Sequence, residues 1–231
     1  MKTIKIPSEV VYFISILTMS FSVAMVSAAD LGLSMVVAPA YIVSQALGFL
    51  SFGQSEYLVQ ALLLVAFCLI VKRFRPLYLV SFGTCLIYGA MLDFWRLAIP
   101  MFNPLVTAPG SMGWPLRIAF FVIGSVITAF AVALSFHSYL YPQMYDFFVK
   151  GLAAAKGLDR GKVKRFYDLS SLAVAVALTL LVFGRFVGVG VATLVTALIN
   201  SPIIGWFDRW FVRRFEFPAL FPKLESYFEK G

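Results

Sequence analysis

The sequence predicts an all-α protein: a polytopic membrane helix bundle with six transmembrane helices, arranged as two inverted three-helix repeats, each with a short re-entrant or interfacial helix. Three observations lead to this prediction. First, 61% of the 231 residues are hydrophobic and only 13% are charged, whereas soluble domains carry about 25% charged residues. Second, six apolar stretches approach the length of about 20 residues that spans a bilayer as a helix. Third, the two halves of the sequence resemble each other.

The six predicted spans are separated by polar or basic segments. They cover residues 10–29, 57–71, 77–95, 116–136, 169–184 and 186–207. Between the first and the second lies another apolar piece, residues 35–50, which Pro39 and Gly48 interrupt. This piece is too short to cross the bilayer, so we expect a re-entrant or interfacial helix there.

An internal repeat relates the second and fifth spans. At a spacing of 112 residues, Glu56 aligns with Asp168, Arg73 with Arg185, and their apolar neighbours with each other. The segments SFSVAM and AFAVAL align at a similar spacing of 109 residues. We therefore predict a single membrane domain, 1–231, with one repeat at about 8–97, a second at about 115–210 and a cytoplasmic tail at 211–231. Three spans per repeat make the second repeat inverted, a plan common in secondary transporters.

The basic residues predict the orientation. With the N-terminus and the C-terminus in the cytoplasm, 16 of the 19 Lys and Arg residues lie on the cytoplasmic side, as the positive-inside rule requires. The net charge of +8 then reflects topology and attraction to anionic lipid headgroups, so a nucleic-acid partner is not indicated. We expect a multi-pass protein of a bacterial plasma (inner) membrane whose partner is the lipid bilayer.

Glu56 and Asp168 are the first candidates for a functional site. The repeat relates them, and each lies where a predicted span begins. Ionisable groups in a membrane are costly and often functional, which favours binding of a solute or a coupling ion. A carboxylate at a helix N-terminus also caps free N–H groups, so capping is an equally complete interpretation at this stage.

Further candidates for contact with a solute or coupling ion lie near the span ends and the short segments. Asp30 ends the first span, where either solvation among headgroups or burial in a cavity fits its position. At membrane depth, backbone that is not in a continuous helix is tolerated only where protein covers it or water fills a cavity. The polar residues near the interruptions of the apolar segments are therefore candidates for contact with a solute, although a solvated loop explains them too. Pro202, which follows Asn200 by two residues, indicates either a kink or a discontinuous helix. These candidates are Tyr41, Gln45, Gln54, Tyr145 and Asn200.

Several classes of chemistry lack a signature. The chain has two cysteines, both in apolar runs, and one histidine, so we expect no metal site. Phosphate-binding and nucleophile motifs are also missing from the sequence. The sequence therefore predicts a protein that is not an enzyme and needs no cofactor.

Five short motifs follow one another along the chain: AADLGLS, APAY, SFGQSEY, YDLSS and ALINSPIIGWF. In this order the sequence resembles the YczE/YyaS/YitT-type family of bacterial integral membrane proteins. The resemblance implies a polytopic plasma-membrane protein of a family that is often described as transporters or simply as uncharacterised, and it supplies no catalytic residues.

The functional prediction is a secondary transporter or permease for a small polar solute, with carboxylates at the repeat interface. Two alternatives remain at this stage. One is a substrate-binding membrane subunit of an ATPase-energised uptake system, and the other is a non-transporting scaffold, for which we expect a dry interior. A homo-oligomer is compatible with each of them.

Overall fold

The computed structural model describes residues 4–230, so residues 1–3 and 231 at the two ends of the predicted domain lie outside the described part. Nearly all regular structure in this part is helical, which confirms the predicted fold class. Six of the helices, α1, α3, α4, α5, α7 and α8, are long and apolar enough to cross a membrane. The elements are β1 (Ile4–Lys5), α1 (Ser8–Ala29), α2 (Ala38–Leu47), α3 (Phe52–Val71), α4 (Tyr78–Ala98), α5 (Trp114–Ser135), α6 (Met144–Lys156), α7 (Arg160–Phe183), α8 (Val191–Arg214), β2 (Phe215–Glu216) and α9 (Pro222–Lys230).

Three of the spanning helices begin five or more residues from the predicted position, whereas the other three begin within two residues of it, and local chemistry explains each large difference. Helix α3 begins five residues early because Ser51 caps it, with the Ser51 hydroxyl accepting a hydrogen bond from the Gln54 N–H at 3.0 Å. Helix α7 begins nine residues early, capped by Asp159, so its charged first two turns are helical. Helix α8 begins five residues late, because the preceding segment 184–190 contains three glycines, and Gly188 has a φ of 72° that other residues rarely adopt.

The short helices α2 and α6 each pack against both halves of the chain, α1–α4 and α5–α8. Helix α2 lies within the predicted piece 35–50 and packs against α3 of its own half and α7 of the other. Helix α6 packs against α7 of its own half and α3 of the other. This reciprocal packing is the arrangement that two related halves would give. The inversion of one half relative to the other stays a prediction.

The centre of the bundle is the contact between α1 and α5. Gly124 on α5 lies so near α1 that a Cβ atom there would be 2.5 Å from Val26 Cγ2. Ala24 of α1 and Ala129 of α5 are fully buried, and the hydroxyls of Ser22 and Thr128 hydrogen-bond at 2.9 Å across the contact. Small residues allow the close approach of helices that membrane bundles use, which places α1 at the core.

The two ends of the described chain meet at the same end of the bundle. Strand β1 pairs in parallel with β2, and the Ser8 N–H donates to the Pro218 carbonyl at 3.0 Å. The Glu9 carboxylate accepts hydrogen bonds from the N–H groups of Leu220 at 3.0 Å and Phe221 at 3.1 Å. These bonds tie the C-terminal segment to the start of α1.

Candidate functional site

A cavity of about 470 Å³ lies inside the bundle between the two halves. Its walls come from α1 and α4 of the first half, from α5, α6, α7 and α8 of the second half, and from the segment 34–37 before α2. Hydroxyl, phenol and amide groups give the walls hydrogen-bonding capacity. They include Tyr12, Ser15, Thr84, Gln143, Tyr145 and Asn200.

One part of the cavity wall is charged. Arg160, Lys164 and Asp168 of α7 line it together with Asp208 of α8. Lys164 Nζ lies 3.1 Å from Asp168 Oδ1, and His137 Nε2 lies 3.2 Å from Asp208 Oδ1. Lys164 therefore balances the charge of Asp168. Burial lowers the pKa of His137 from its usual 6.5, so Asp208 has a largely neutral neighbour, and Asp146 of α6 is a third carboxylate in the lining.

Glu56 lies next to the cavity and is fully buried on α3. Its Oε2 atom accepts hydrogen bonds from the Tyr145 hydroxyl at 2.6 Å and from Gln60 Nε2 at 3.0 Å. Its Oε1 atom has no hydrogen-bond partner in the described part of the chain. Tyr145 lines the cavity, so it connects the buried carboxyl to the cavity wall.

Gln60 extends this link between α3 and α6. Its Oε1 atom accepts the Met144 N–H at 3.0 Å, and its Nε2 atom lies 3.3 Å from Gln143 Oε1. Because Met144 begins α6, two side chains of α3 together hold the first turn of α6. The carboxyl of Glu56 is thus part of the contact between the two halves.

Helices α3 and α4 also carry buried polar groups without partners in the described part of the chain. Within residues 4–230, the hydroxyls of Tyr88, Ser55 and Ser81 are buried and make no hydrogen bond. Tyr88 also lines the cavity. Buried polar groups normally have protein or water partners, so these atoms are positions at which water or a solute would gain hydrogen bonds.

The capping interpretation of Glu56 and Asp168 is wrong. Ser51 and Asp159 cap the two helices, and both candidate carboxylates lie further along their helices, past the free N–H groups that a cap satisfies. The structure does not bring the two together in one contact. Glu56 lies behind Tyr145, whereas Asp168 pairs with Lys164 at the charged wall of the cavity.

Asp30 has a structural partner that is distant in sequence. Its side chain lies 3.5 Å from Arg117 Nη2, and the same guanidinium donates to the Ala29 carbonyl at 2.7 Å and the Asp30 carbonyl at 2.5 Å. Burial raises the pKa of Asp30 from its usual value, and the charge of Arg117 opposes this rise. Arg117 therefore fixes the end of α1 against the start of α5.

The remaining candidates divide into one residue at the cavity and three away from its walls. Asn200 lines the cavity, its Oδ1 atom is buried without a partner among the described residues, and α8 continues through Pro202 without a break. Tyr41 is buried against the ring of Phe52. Gln45 is exposed, and Gln54 is exposed and completes the cap of α3.

Sequence reasoning missed several residues of the site. Gln60 was detectable, since it follows Glu56 by four residues and so lies on the same helix face. The pair formed by Tyr12 and Thr84, whose hydroxyl oxygens are 2.5 Å apart, joins positions 72 residues apart in sequence. The local sequence carries no signal for such a pair, nor for the approach of Gln143 to Gln60.

Comparison with known proteins gives one match. The model of a family described as "Family of unknown function (DUF6198)" matches residues 6–209. No curated protein and no solved structure matches the chain. The match gives no support to the resemblance with the YczE/YyaS/YitT-type family. The chain is a polytopic membrane protein. It belongs to the DUF6198 family, whose function is unknown.

Proposed function

We propose that the protein is a secondary transporter, or permease, for a small polar solute. The observation that carries this proposal is the cavity between the two halves, with polar side chains from both. A scaffold without transport activity has no need of such a cavity, which favours the transporter over the non-transporting scaffold.

The size and lining of the cavity indicate the class of solute. Small-molecule sites have volumes of roughly 300–1,000 Å³, and the 470 Å³ cavity falls within this range. Its hydroxyl and amide groups favour a solute that makes several hydrogen bonds, while Ile16, Val23 and Phe136 supply apolar contacts. A charged small solute is accommodated best at the wall formed by α7 and α8.

Helices α2 and α6 lie where the two halves meet, next to the cavity. Transporters built from repeats bind their solutes at the repeat interface, next to broken helices. Here α2 and α6 each contact both halves, and the start of α6 lies at the cavity. Together with the distribution of Lys and Arg, this arrangement leads us to propose that the charged end of the cavity faces the cytoplasm.

The test begins with a thermal-shift screen of the detergent-purified protein against amino acids, vitamins, nucleosides, sugars and metal ions. A ligand at about 100 times its Kd stabilises the folded state by about 2.7 kcal/mol. We expect a compound that raises the unfolding temperature of the wild type and of Gln45→Ala but not of Asn200→Ala. These two variants remove the same amide group from an exposed position and from the cavity wall, respectively.

The compound found in this way is then tested for uptake into proteoliposomes. We expect saturable uptake by the wild type and by Gln45→Ala, and reduced uptake by Asn200→Ala. Absence of uptake by the wild type, or identical uptake by the two variants, would contradict the proposal.

A further inference from the structure

We infer that Glu56 carries a proton in this conformation and exchanges it with water in the cavity, so that H⁺ is the coupling ion. The role of H⁺ as a coupling ion rests on the proposed transport function. The exchange of a proton at Glu56 is a separate physical property and can be measured without any solute.

The hydrogen bonds of Glu56 are those of a neutral acid. Both donors, the Tyr145 hydroxyl and Gln60 Nε2, bind the same oxygen, Oε2, and Oε1 has no partner in the described part of the chain. A protonated carboxyl has one carbonyl oxygen that accepts and one hydroxyl oxygen. An ionised carboxylate accepts on both oxygens, and a buried one with an empty oxygen loses much of the hydration that it had in water.

No basic side chain of the described residues compensates a charge on Glu56. The titratable groups that interact with it are phenols and a thiol from three neighbouring helices. They are Cys85 and Tyr88 of α4, Tyr145 of α6 and Tyr167 of α7. Asp146 of α6 interacts with Lys164 and Arg160 of α7, and Arg96 of α4 interacts with Tyr41 of α2 and with Asp93. An unpaired buried charge is costly in a membrane, so the proton stays on the carboxyl here.

The exchange step involves one bond. The O–H bond at Oε1 breaks, the proton passes to a water molecule that enters from the cavity, and the electron pair stays on the carboxylate. Protonation reverses the step. The resulting charge strengthens the hydrogen bonds from Tyr145 and Gln60, since bonds to an ionised acceptor are about twice as strong as neutral ones.

This change of strength acts on the contact between the two halves. Tyr145 belongs to α6, and Gln60 also holds the Met144 N–H at the start of α6. The charge state of Glu56 therefore alters how firmly α3 of the first half holds α6 of the second. A proton on one carboxyl is in this way linked to the relative position of the halves around the solute.

Difference infrared spectroscopy of the protein in lipid tests the inference, with the pH changed from about 5 to about 9, because buried carboxyl groups titrate within this range. We expect a C=O band of a protonated carboxyl that decreases as the pH rises and that shifts in D₂O. The band is expected in Asp168→Asn and absent in Glu56→Gln. In Tyr145→Phe, which keeps the carboxyl, the band moves to the higher frequency of a weaker hydrogen bond.

Two results would overturn the inference: a band that persists unchanged in Glu56→Gln, or a Glu56 carboxyl that does not respond to pH or D₂O. Uptake into proteoliposomes separates this failure from that of the proposed function. Uptake that ignores an imposed pH gradient and is normal in Glu56→Gln retains the permease and rejects H⁺ as the coupling ion. If the wild type takes up no solute, transport is rejected, and the infrared band alone decides whether Glu56 exchanges a proton.

Discussion

Helices α3 and α4 cross where Gly53 of α3 faces Gly89 of α4. Because Gly53 lies three residues before Glu56, a substitution at this crossing tests how the site is positioned. A Cβ atom on Gly53 would overlap the Gly89 carbonyl oxygen and lie 2.5 Å from Asp93 Oδ2. Asp93 accepts hydrogen bonds from the Ser51 hydroxyl and, at 2.9 Å, from the Gly53 N–H. The substitution Gly53→Ala therefore pushes the two helices apart and disturbs the bonds that hold the start of α3.

The expected loss of stability follows from these two effects. Overpacking a tight contact costs about 1–3 kcal/mol, and loss of a hydrogen bond to a charged group costs about 1.5–3 kcal/mol. For a chain of this size each kcal/mol corresponds to roughly 2–4 °C in unfolding temperature. We expect Gly53→Ala to lower the unfolding temperature in detergent, followed by tryptophan fluorescence, by about 5–24 °C.

The matched control is Gly83→Ala on α4. A Cβ atom at Gly83 meets nothing within 4 Å, and alanine favours helix by up to about 1 kcal/mol over glycine. This variant should unfold at the wild-type temperature or slightly above it. Equal unfolding temperatures for the two variants would refute the close crossing of α3 and α4.

Two further predictions concern the end of the bundle where the chain termini meet. Glu9→Gln weakens the hydrogen bonds that the Glu9 side chain accepts from the Leu220 and Phe221 N–H groups. Because a hydrogen bond to a charged group contributes about 1.5–3 kcal/mol, we expect trypsin to cleave at the exposed Lys223 about 10-fold faster or more. An unchanged cleavage rate would show that Glu9 does not fix the C-terminal segment. Burial lowers the pKa of His137 from its usual 6.5, although Asp208 opposes the shift, so the unfolded chain binds more protons and stability falls as the pH drops below about 6.5. His137→Gln should flatten this pH dependence of the unfolding temperature, and an unaltered slope would contradict the assignment.

The fold could be predicted largely because the bilayer determines the length and hydrophobicity of a spanning helix. All six spans are present, together with a short helix inside the predicted piece 35–50. The ends were wrong where polar residues continue a helix, as in the charged first two turns of α7. Hydrophobicity marks the part of a helix in lipid and carries no information on its extension into water. The pairing of β1 with β2 had no detectable signal, since each strand has only two residues.

The candidate site was predictable only in part. Glu56 was recognisable as an ionisable residue at the start of an apolar run, and Tyr145 as a polar residue near a break between spans, yet the hydrogen bond between them was not foreseen. Asn200 was identified from the break at Pro202 and does line the cavity, although α8 is continuous. Thr84 and Gln143 have no local signature, because their role depends on which helices meet. A prediction from one sequence gives the residue types on a helix and leaves their partners open.

The proposed transport function requires that water reaches the cavity inside the bundle, and the reactivity of introduced cysteines measures this access. In a background of Cys68→Ala and Cys85→Ala, Ser15→Cys places a thiol on the cavity wall, and Leu17→Cys places one on the exposed apolar face of the same helix. We predict that a charged, membrane-impermeant thiol reagent modifies Ser15→Cys, from the cytoplasmic side in this conformation, and that it leaves Leu17→Cys unmodified in lipid. Modification of neither residue, or of both at the same rate, would contradict the cavity and the transport function built on it.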